Sequence, residues 1–380
     1  VATSAAPALT CSARSGLQAG TATRARCTRL ESPAPPPTLS RGERGQYGIA
    51  GAGLLGRLLA WRLSRNGHRV TVFDPAPDVQ ARGAAGWTAA GMLSPLAELE
   101  CSDASVATLG LRSLELWSRI VAQLPQPVHF RRDGSLLLAH GSDLGSAQRL
   151  LAQISARAPA GMAPERLSAA QLRSLEPDVH GVAHAWLLSG EGQIDTVQAM
   201  LALAQGASDA GTRWRWSHAV HELAPGRIDA ERFDHVFDVR GLGARPNLAG
   251  LRGVRGEILW LHAPGLALRR PLRLLHPRSR VYLVPRSGDI VVVGASEIES
   301  EDRSPISVRT LLGLLSAAHS VVPELAEARL VHSETNLRPA LPDNLPHLHA
   351  EPGLTRINGL FRHGWMIAPA LVEDALELVS

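Results

Sequence analysis

Three glycines at fixed spacing constrain this chain more than any other feature. In Tyr47-Gly48-Ile49-Ala50-Gly51-Ala52-Gly53-Leu54-Leu55-Gly56, a short apolar run ends in G-x-G-x-x-G and opens into a helix-like segment. Gly51 permits the tight strand-to-helix turn, Gly53 lets backbone amides approach a pyrophosphate, and Gly56 lets the helix pack closely on the strand. The next strand, Arg69-Val70-Thr71-Val72-Phe73-Asp74, ends in a carboxylate 23 positions after Gly51, where a ribose hydroxyl needs an acceptor. The spacing alone is a weak signal. Combined with the strand before it, a helix expected over 54–66, the turn Gly67-His68 and Asp74, it marks a dinucleotide site without saying which dinucleotide.

Composition removes several alternatives. All 39 basic residues are arginine, so there is no Schiff-base lysine and no P-loop lysine. That excludes pyridoxal-phosphate chemistry, lysine aldolases and P-loop nucleotide hydrolysis. The net charge of +4 invites a nucleic-acid reading, but residues 1–46 hold six arginines against Glu31 and Glu43, so the other 334 residues are formally neutral. A neutral body argues against a nucleic-acid partner. No apolar run approaches the ~18–20 residues of a spanning helix, so no integral membrane segment is expected. Cys11, Cys27 and Cys101 show neither metal-ligand spacing nor a disulfide framework, which suits a reducing cytoplasm, and Cys101 reads as a small buried hydrophobe. Residues 1–45 begin with Val, lack periodicity and are rich in Ala, Ser, Thr, Arg and Pro. They read as a disordered or mis-assigned extension, with an arginine-rich, acid-poor character that a transit peptide shares.

Further along, the run Gly83-Ala84-Ala85-Gly86-Trp87-Thr88-Ala89-Ala90-Gly91-Met92-Leu93 is mostly small, which suits a flat ligand lying against backbone. Residues 104–124 have helical spacing, and 128–139 read as a hairpin on the Asp133-Gly134 turn. Helices are expected at 143–157 and at 168–175, the latter capped by Ser168, and from Asp195 as a cap through 199–210. Strands are expected at 181–188, 213–220, 256–262, 281–284, 290–293 and near 328–334, with one from His235 leading into the glycine turn Gly241-Leu242-Gly243. A helix at 306–318 and a last helix at 370–379, with Pro369 in its first turn, complete the pattern. Helices and strands do not alternate cleanly. The fold class implied is α/β: a doubly wound nucleotide domain interleaved with an antiparallel-sheet α+β domain.

Candidate chemistry lies mainly in the second half. Tyr282 falls on an alternating strand, Arg338 on an extended segment before Pro339, and Arg362 and His363 in Asn358-Gly359-Leu360-Phe361-Arg362-His363-Gly364-Trp365-Met366-Ile367-Ala368-Pro369. A guanidinium clamps a small carboxylate through two parallel charge-assisted bonds. The loop after Asp238 (Arg240, Gly241, Gly243) fits either a strand-terminal turn or a nucleotide contact. The pairs His347/His349 and His218/His221 lack a supporting carboxylate pattern and read as surface, so no metal is expected. No G-x-S-x-G elbow occurs.

Taken in order, these blocks resemble the D-amino-acid-oxidase-like family of FAD-dependent amine oxidases, and within it the glycine oxidases of thiamine biosynthesis. Also part of the likeness are Val254-Arg255-Gly256-Glu257, Val284-Pro285-Arg286, Val293-Gly294-Ala295-Ser296 and Leu337-Arg338-Pro339, and the whole spans about 46–380. The resemblance implies a Rossmann-like FAD-binding domain (46–125, 190–250 and 335–380) and a substrate domain (126–189 and 251–334). It implies that Gly51, Gly53, Leu54, Leu55 and Gly56 hold the FAD pyrophosphate and Asp74 the adenosine ribose, Asp standing where Glu is more usual. Ala90, Gly91 and Met92 would lie along the isoalloxazine, and Phe361, Arg362, His363, Gly364, Trp365 and Met366 would close over its other end. Arg338 would clamp the substrate carboxylate with Tyr282 and Arg362 assisting, flavin N5 would accept the hydride, and no catalytic side chain is implied. The implied partners are a small amino acid and oxygen, and a homo-oligomer is compatible with them. Rival readings at this stage are a D-amino-acid dehydrogenase or sarcosine-type oxidase, an NAD(P) dehydrogenase, and a non-catalytic flavin-binding protein.

Overall fold

A computed structural model describes residues 44–100, 102–276 and 279–379. The expectations for residues 1–43 and for Cys101 lie outside the described residues. The run before Gly51 forms strand β1 (Gln46–Ala50), followed by helix α1 (Leu54–Arg65) and strand β2 (Arg69–Phe73), parallel to β1 with Ile49 opposite Val72. The chain continues through α2 (Ala85–Thr88), β3 (Met92–Leu93), α3 (Ala104–Val121), β4 (Phe130–Arg131), β5 (Ser135–Ala139) and α4 (Leu144–Arg157). Then come β6 (Glu165–Leu167), α5 (Ala169–Leu175), β7 (His184–Leu188), β8 (Gly192–Ile194), α6 (Thr196–Asp209) and β9 (Arg213–Arg215). The meander β10 (Leu223–Ala224), β11 (Arg227–Ile228), β12 (Glu231–Arg232) precedes β13 (His235–Asp238), β14 (Arg252–His262), β15 (Leu272–His276), β16 (Ser279–Arg286) and β17 (Ile290–Gly294). Helix α7 (Val308–Val321), β18 (Arg329–Ala340), β19 (His347–Glu351), β20 (Leu354–Asn358) and α8 (Gly364–Glu377) complete the chain.

One sheet has the order β19-β20-β13-β1-β2-β9, parallel except for β19 at its edge. Ile49, Val72, Phe237 and Ile357 point to one face, where α1, α6 and α8 cover them with Leu58, Leu203 and Leu371. The alternate residues Ala50, Phe73, Val236 and Leu354 meet Ile228 and Leu223 of the small meander. Helices on one face and the meander on the other make a three-layer, Rossmann-like arrangement built on β1-α1-β2.

The second sheet has the order β18-β14-β17-β16-β15-β5-β7-β6 and is antiparallel apart from the β15–β5 pair. Its β5 is buried on both faces: Leu136 and Leu138 pack toward α5 and α7, Leu137 and Ala139 toward α4. A strand covered on both sides has no polar alternation to read. All described residues belong to one compact unit. Strand β18 runs across the expected domain boundary at 334/335, so Arg338 belongs to the eight-stranded sheet.

Local signals were the legible ones. Asp195 accepts hydrogen bonds from the amides of Val197 and Gln198, and Ser168 forms a reciprocal capping box with Gln171. Three expectations need correcting. The segment 128–139 is no hairpin: β4 pairs with β8, β5 pairs with β7 and β15, and Gly134 at φ +84° donates to the Glu191 carbonyl. The strand expected over 213–220 ends at Arg215. The hairpin β19–β20 was not foreseen. The last helix begins at Gly364, so Pro369 lies inside it. Proline removes the donor that the Trp365 carbonyl would meet four residues back, and Trp117 Nε1 supplies it instead at 2.8 Å.

Candidate active site

A cavity of about 1390 Å³ runs from the end of β1 to the face of the eight-stranded sheet. Sites for drug-sized ligands hold roughly 300–1,000 Å³, so this one has room for a large ligand and a small one. At its first end, Gly51 adopts φ +107°, and a side chain there would strike the Val239 carbonyl at 2.6 Å. A Cβ on Gly56 would lie 1.8 Å from the Gly51 carbonyl, so this glycine sets the helix-to-turn approach and does not itself line the cavity. Gly53 differs: its φ is −70°, and a Cβ would meet nothing closer than Ala84 at 3.6 Å. Nothing in the protein demands a glycine there; the space it leaves belongs to the cavity. No side chain caps α1, whose first amides therefore remain available to an anion. Asp74 accepts from the Ala52 amide (2.6 Å) and the Ala76 amide (2.8 Å), which fixes its carboxylate at the rim.

Beneath this turn lies Arg57, fully buried, donating to the carbonyls of Ala52, Met200 and Val79 at 2.8–2.9 Å. Burial lowers its pKa to about 10 against the opposing field of Asp74, so it keeps its charge near neutral pH. It adds a fixed positive charge under the helix N-terminus.

Strand register builds the other end. Tyr282 of β16 stands opposite Gly294 of β17, which stands opposite Ile258 of β14. Period-two alternation then puts Gly256 on the same face, with Asn336 of β18 directly opposite it and Arg338 two residues on. Two glycines make room here: a Cβ on Gly294 would touch the Tyr282 ring and hydroxyl at 2.8 Å, and one on Gly256 would strike Arg338 Nη2 at 2.4 Å. Arg338 donates through Nη1 to the carbonyls of Ser296 (3.0 Å) and Arg255 (3.3 Å). Among the described residues no carboxylate pairs with it. Burial lowers its pKa while Tyr282 and Glu297 oppose. Burial also raises the Tyr282 pKa, with Arg338 opposing, so its hydroxyl stays a donor.

Arg362 is arranged differently. Its Nε and Nη2 grip Glu98 at 2.9 and 2.7 Å, and its Nη1 reaches Glu297 at 3.1 Å. Burial pushes the Glu98 carboxyl up, but Arg362, Arg273 and His363 more than reverse this and hold it at about 2. His363 Nδ1 lies 3.3 Å from Glu98, and burial lowers the His363 pKa against the pull of Glu98. Arg273 also pairs with Glu100 at 2.6 Å.

A family model described as FAD dependent oxidoreductase (DAO) matches residues 46–377. The chain belongs to this family. It is 40% identical over 329 residues to a Rhizobium etli protein named thiamine biosynthesis oxidoreductase ThiO, covering 86% of this chain and 94% of that one. It is 26% identical to a glycine oxidase of Geobacillus kaustophilus across 88% of this chain and 93% of the relative. Among solved structures, that of the Geobacillus kaustophilus glycine oxidase superposes with a TM-score of 0.76 at 25% identity, covering 88% and 95% of the two chains. An iminodiacetate oxidase from Chelativorans sp. BNC1 superposes with a TM-score of 0.74 at 26% identity and the same coverage.

As an FAD-dependent oxidoreductase, this enzyme takes FAD as its cofactor, and the geometry suits it. The unexplained glycine at 53, the uncapped helix and the carboxylate at 74 are what a pyrophosphate and its ribose require. Ala90, Gly91 and Met92 all line the cavity, as do Phe361, Arg362, His363, Gly364, Trp365 and Met366. Gly91 is dictated by the protein: at φ +79° it approaches β8 so closely that a Cβ would lie 1.9 Å from the Ile194 carbonyl. The Arg240-Gly241-Leu242-Gly243 loop also faces the cavity, with Arg240 held by Asp238 at 2.8 Å. His218 does have a carboxylate partner, Asp229 at 2.8 Å, contrary to the sequence reading, and no metal-binding cluster exists among the described residues.

Sequence reasoning did not single out Arg57, Glu98, Arg273, Asn336 or the positioning role of Arg286. Arg286 Nη2 binds the carbonyls of Ala89 and Ala90 at 3.1 Å and the Thr196 hydroxyl at 2.9 Å, holding the small-residue run in place. Asn336 does the same through Thr88 at 3.0 Å. The pair Glu98/Glu100 in an otherwise apolar stretch was the available signal for Glu98.

Proposed function

We propose that this enzyme oxidises the amine of glycine or a similarly small amino acid. Substrate, water and dioxygen become the 2-oxo acid, ammonia and hydrogen peroxide. The observation that carries this reading is Arg338: a half-buried guanidinium with no carboxylate partner among the described residues, facing a cavity beside a hydroxyl donor. It would hold the substrate carboxylate through charge-assisted bonds, and Tyr282 would donate a further one. Gly256 and Gly294 make the room that these two side chains occupy at the cavity wall. When bound, FAD supplies at N5 the acceptor for the hydride and passes the electrons on to dioxygen. Arg286 and Asn336 hold the Ala84–Ala90 backbone, which would support the flavin ring. The chain's residues orient, and none is required as a base.

Likeness to the Rhizobium etli protein supports a role in thiamine (thiazole) biosynthesis. Anaerobic mixing of the holoenzyme with glycine, sarcosine and D-alanine tests the reaction: the visible band of the flavin should bleach. A flavin left oxidised by all three would sink the reading. Arg338→Ala should raise the apparent KM roughly a hundredfold or more, from loss of bonds worth about 1.5–3 kcal/mol each. An unchanged KM would remove the clamp assignment.

A further inference from the structure

Around Tyr282 the charged groups that act on it are Arg338, Arg362, Glu98 and Arg286. Arg286 is committed to backbone and Thr196. The remaining two guanidiniums are unequal. Among the described residues Arg338 has only carbonyls as partners, whereas every nitrogen of Arg362 donates to a glutamate: Nε and Nη2 to Glu98, Nη1 to Glu297. Glu98 is itself nearly buried, with a side chain 15% exposed, and is braced from its other side by Arg273 at 3.3 Å.

We propose that Glu98 determines the substrate class of this site: by occupying Arg362 it leaves Arg338 as the single carboxylate receptor beside Tyr282 and confines the enzyme to amines bearing one carboxylate. The inference rests on the Arg338 reading above. A substrate with a second carboxylate would have to displace Glu98 from Arg362 and strand it, or lie against the negative charges of Glu98 and Glu297. Both routes cost binding, because breaking a buried pair leaves an uncompensated charge. Unlike charge, shape does not enforce this limit, since the cavity of about 1390 Å³ is lined also by Glu100, Arg273 and Leu150. Specificity here is a repulsive element added to an attractive one.

Removing the charge should convert Arg362 into a second receptor. Glu98→Gln keeps the size of the side chain, but its carbonyl can accept only part of the Arg362 fork. The holoenzymes of the native protein, Glu98→Gln, Glu297→Gln and Glu98→Gln/Arg362→Gln are titrated with acetate and malonate, followed through the visible spectrum of the bound flavin. The expected result is a malonate-to-acetate affinity ratio at least tenfold higher in Glu98→Gln and about threefold higher in Glu297→Gln, with the gain cancelled in the double variant. D-Aspartate should gain on D-alanine in anaerobic flavin reduction to a similar degree. Should Glu98→Gln fail to retain FAD, the exposed Glu297→Gln carries the comparison. A ratio within twofold of native in the FAD-retaining variants, or a gain that survives loss of Arg362, overturns the proposal. A shifted ratio in a protein that none of glycine, sarcosine or D-alanine reduces would instead overturn the substrate reading and leave the role of Glu98 standing.

Discussion

Glu191 offers a measurable link between burial and pH. It lies fully buried in the turn between β7 and β8, accepting the Ala97 amide at 2.8 Å and the Ser135 hydroxyl. Ala97 opens the short turn that carries Glu98 and Glu100, so Glu191 anchors the glutamates of the site. Burial raises its pKa from 4.5 to about 7 despite the opposing hydrogen bonds from Ser135 and Ala97. The folded state therefore holds this proton more tightly than the unfolded chain does. Its contribution is complete below pH 4.5 and is lost as pH climbs through 7. At roughly 1.4 kcal/mol per tenfold in proton affinity, the loss amounts to about 3 kcal/mol. Glu191→Gln mimics the protonated carboxyl and removes the dependence. At pH 5 the variant should match the native holoenzyme; at pH 8.5 it should be more stable by up to about 3 kcal/mol. With roughly 2 °C per kcal/mol for a chain of this size, that is about 6 °C in the release of flavin fluorescence on heating. All other titrating groups are common to both proteins, so the difference isolates this one. A glutamine variant that melts below the native protein at pH 8.5 would show that the donors hold a carboxylate, and would refute the reasoning.

Other consequences follow from contacts already described. Gly256→Ala places a Cβ within 2.4–2.7 Å of three atoms of the Arg338 guanidinium, so it should retain FAD yet weaken acetate binding about ten- to a hundredfold in a flavin titration. Gly53→Ala should fold normally, because its Cβ meets nothing under 3.6 Å, and lose FAD affinity, whereas Gly56→Ala, at 1.8 Å from a carbonyl, should destabilise the apoprotein itself; circular dichroism and FAD titration separate the two. Trp117→Phe strands the Trp365 carbonyl and should cost about 1–3 kcal/mol in urea unfolding, part of it restored by Pro369→Ala, which returns a backbone donor to that carbonyl.

What could be read in advance was what the chain decides within a few residues of itself. The caps at Ser168 and Asp195 act over two or three positions, and the glycine turn at 51–56 needs only its own backbone and the next strand. The turn Pro352-Gly353 between β19 and β20 was of the same kind, a two-residue hairpin signal in plain view. The false hairpin at Asp133-Gly134 shows the limit. A turn residue marks a change of direction, but the partner strand is chosen by burial, and β5 is drawn into the middle of a sheet where both its faces are covered.

By itself, the amino-acid sequence marked the first turn as a dinucleotide site, excluded lysine chemistry and, through the order of its blocks, indicated which family the chain joins. Tertiary structure decided which arginine faces the cavity without a carboxylate partner among the described residues. Arg338 and Arg362 are alike as residues, both near glycines and prolines late in the chain. Arg338 is left unpaired among the described residues because β14 places Gly256 under it, while Arg362 meets Glu98, 264 residues away in sequence. Charge acts over ångströms of space and not over positions along the chain, so the pairing that distinguishes the two exists only once both sheets are assembled.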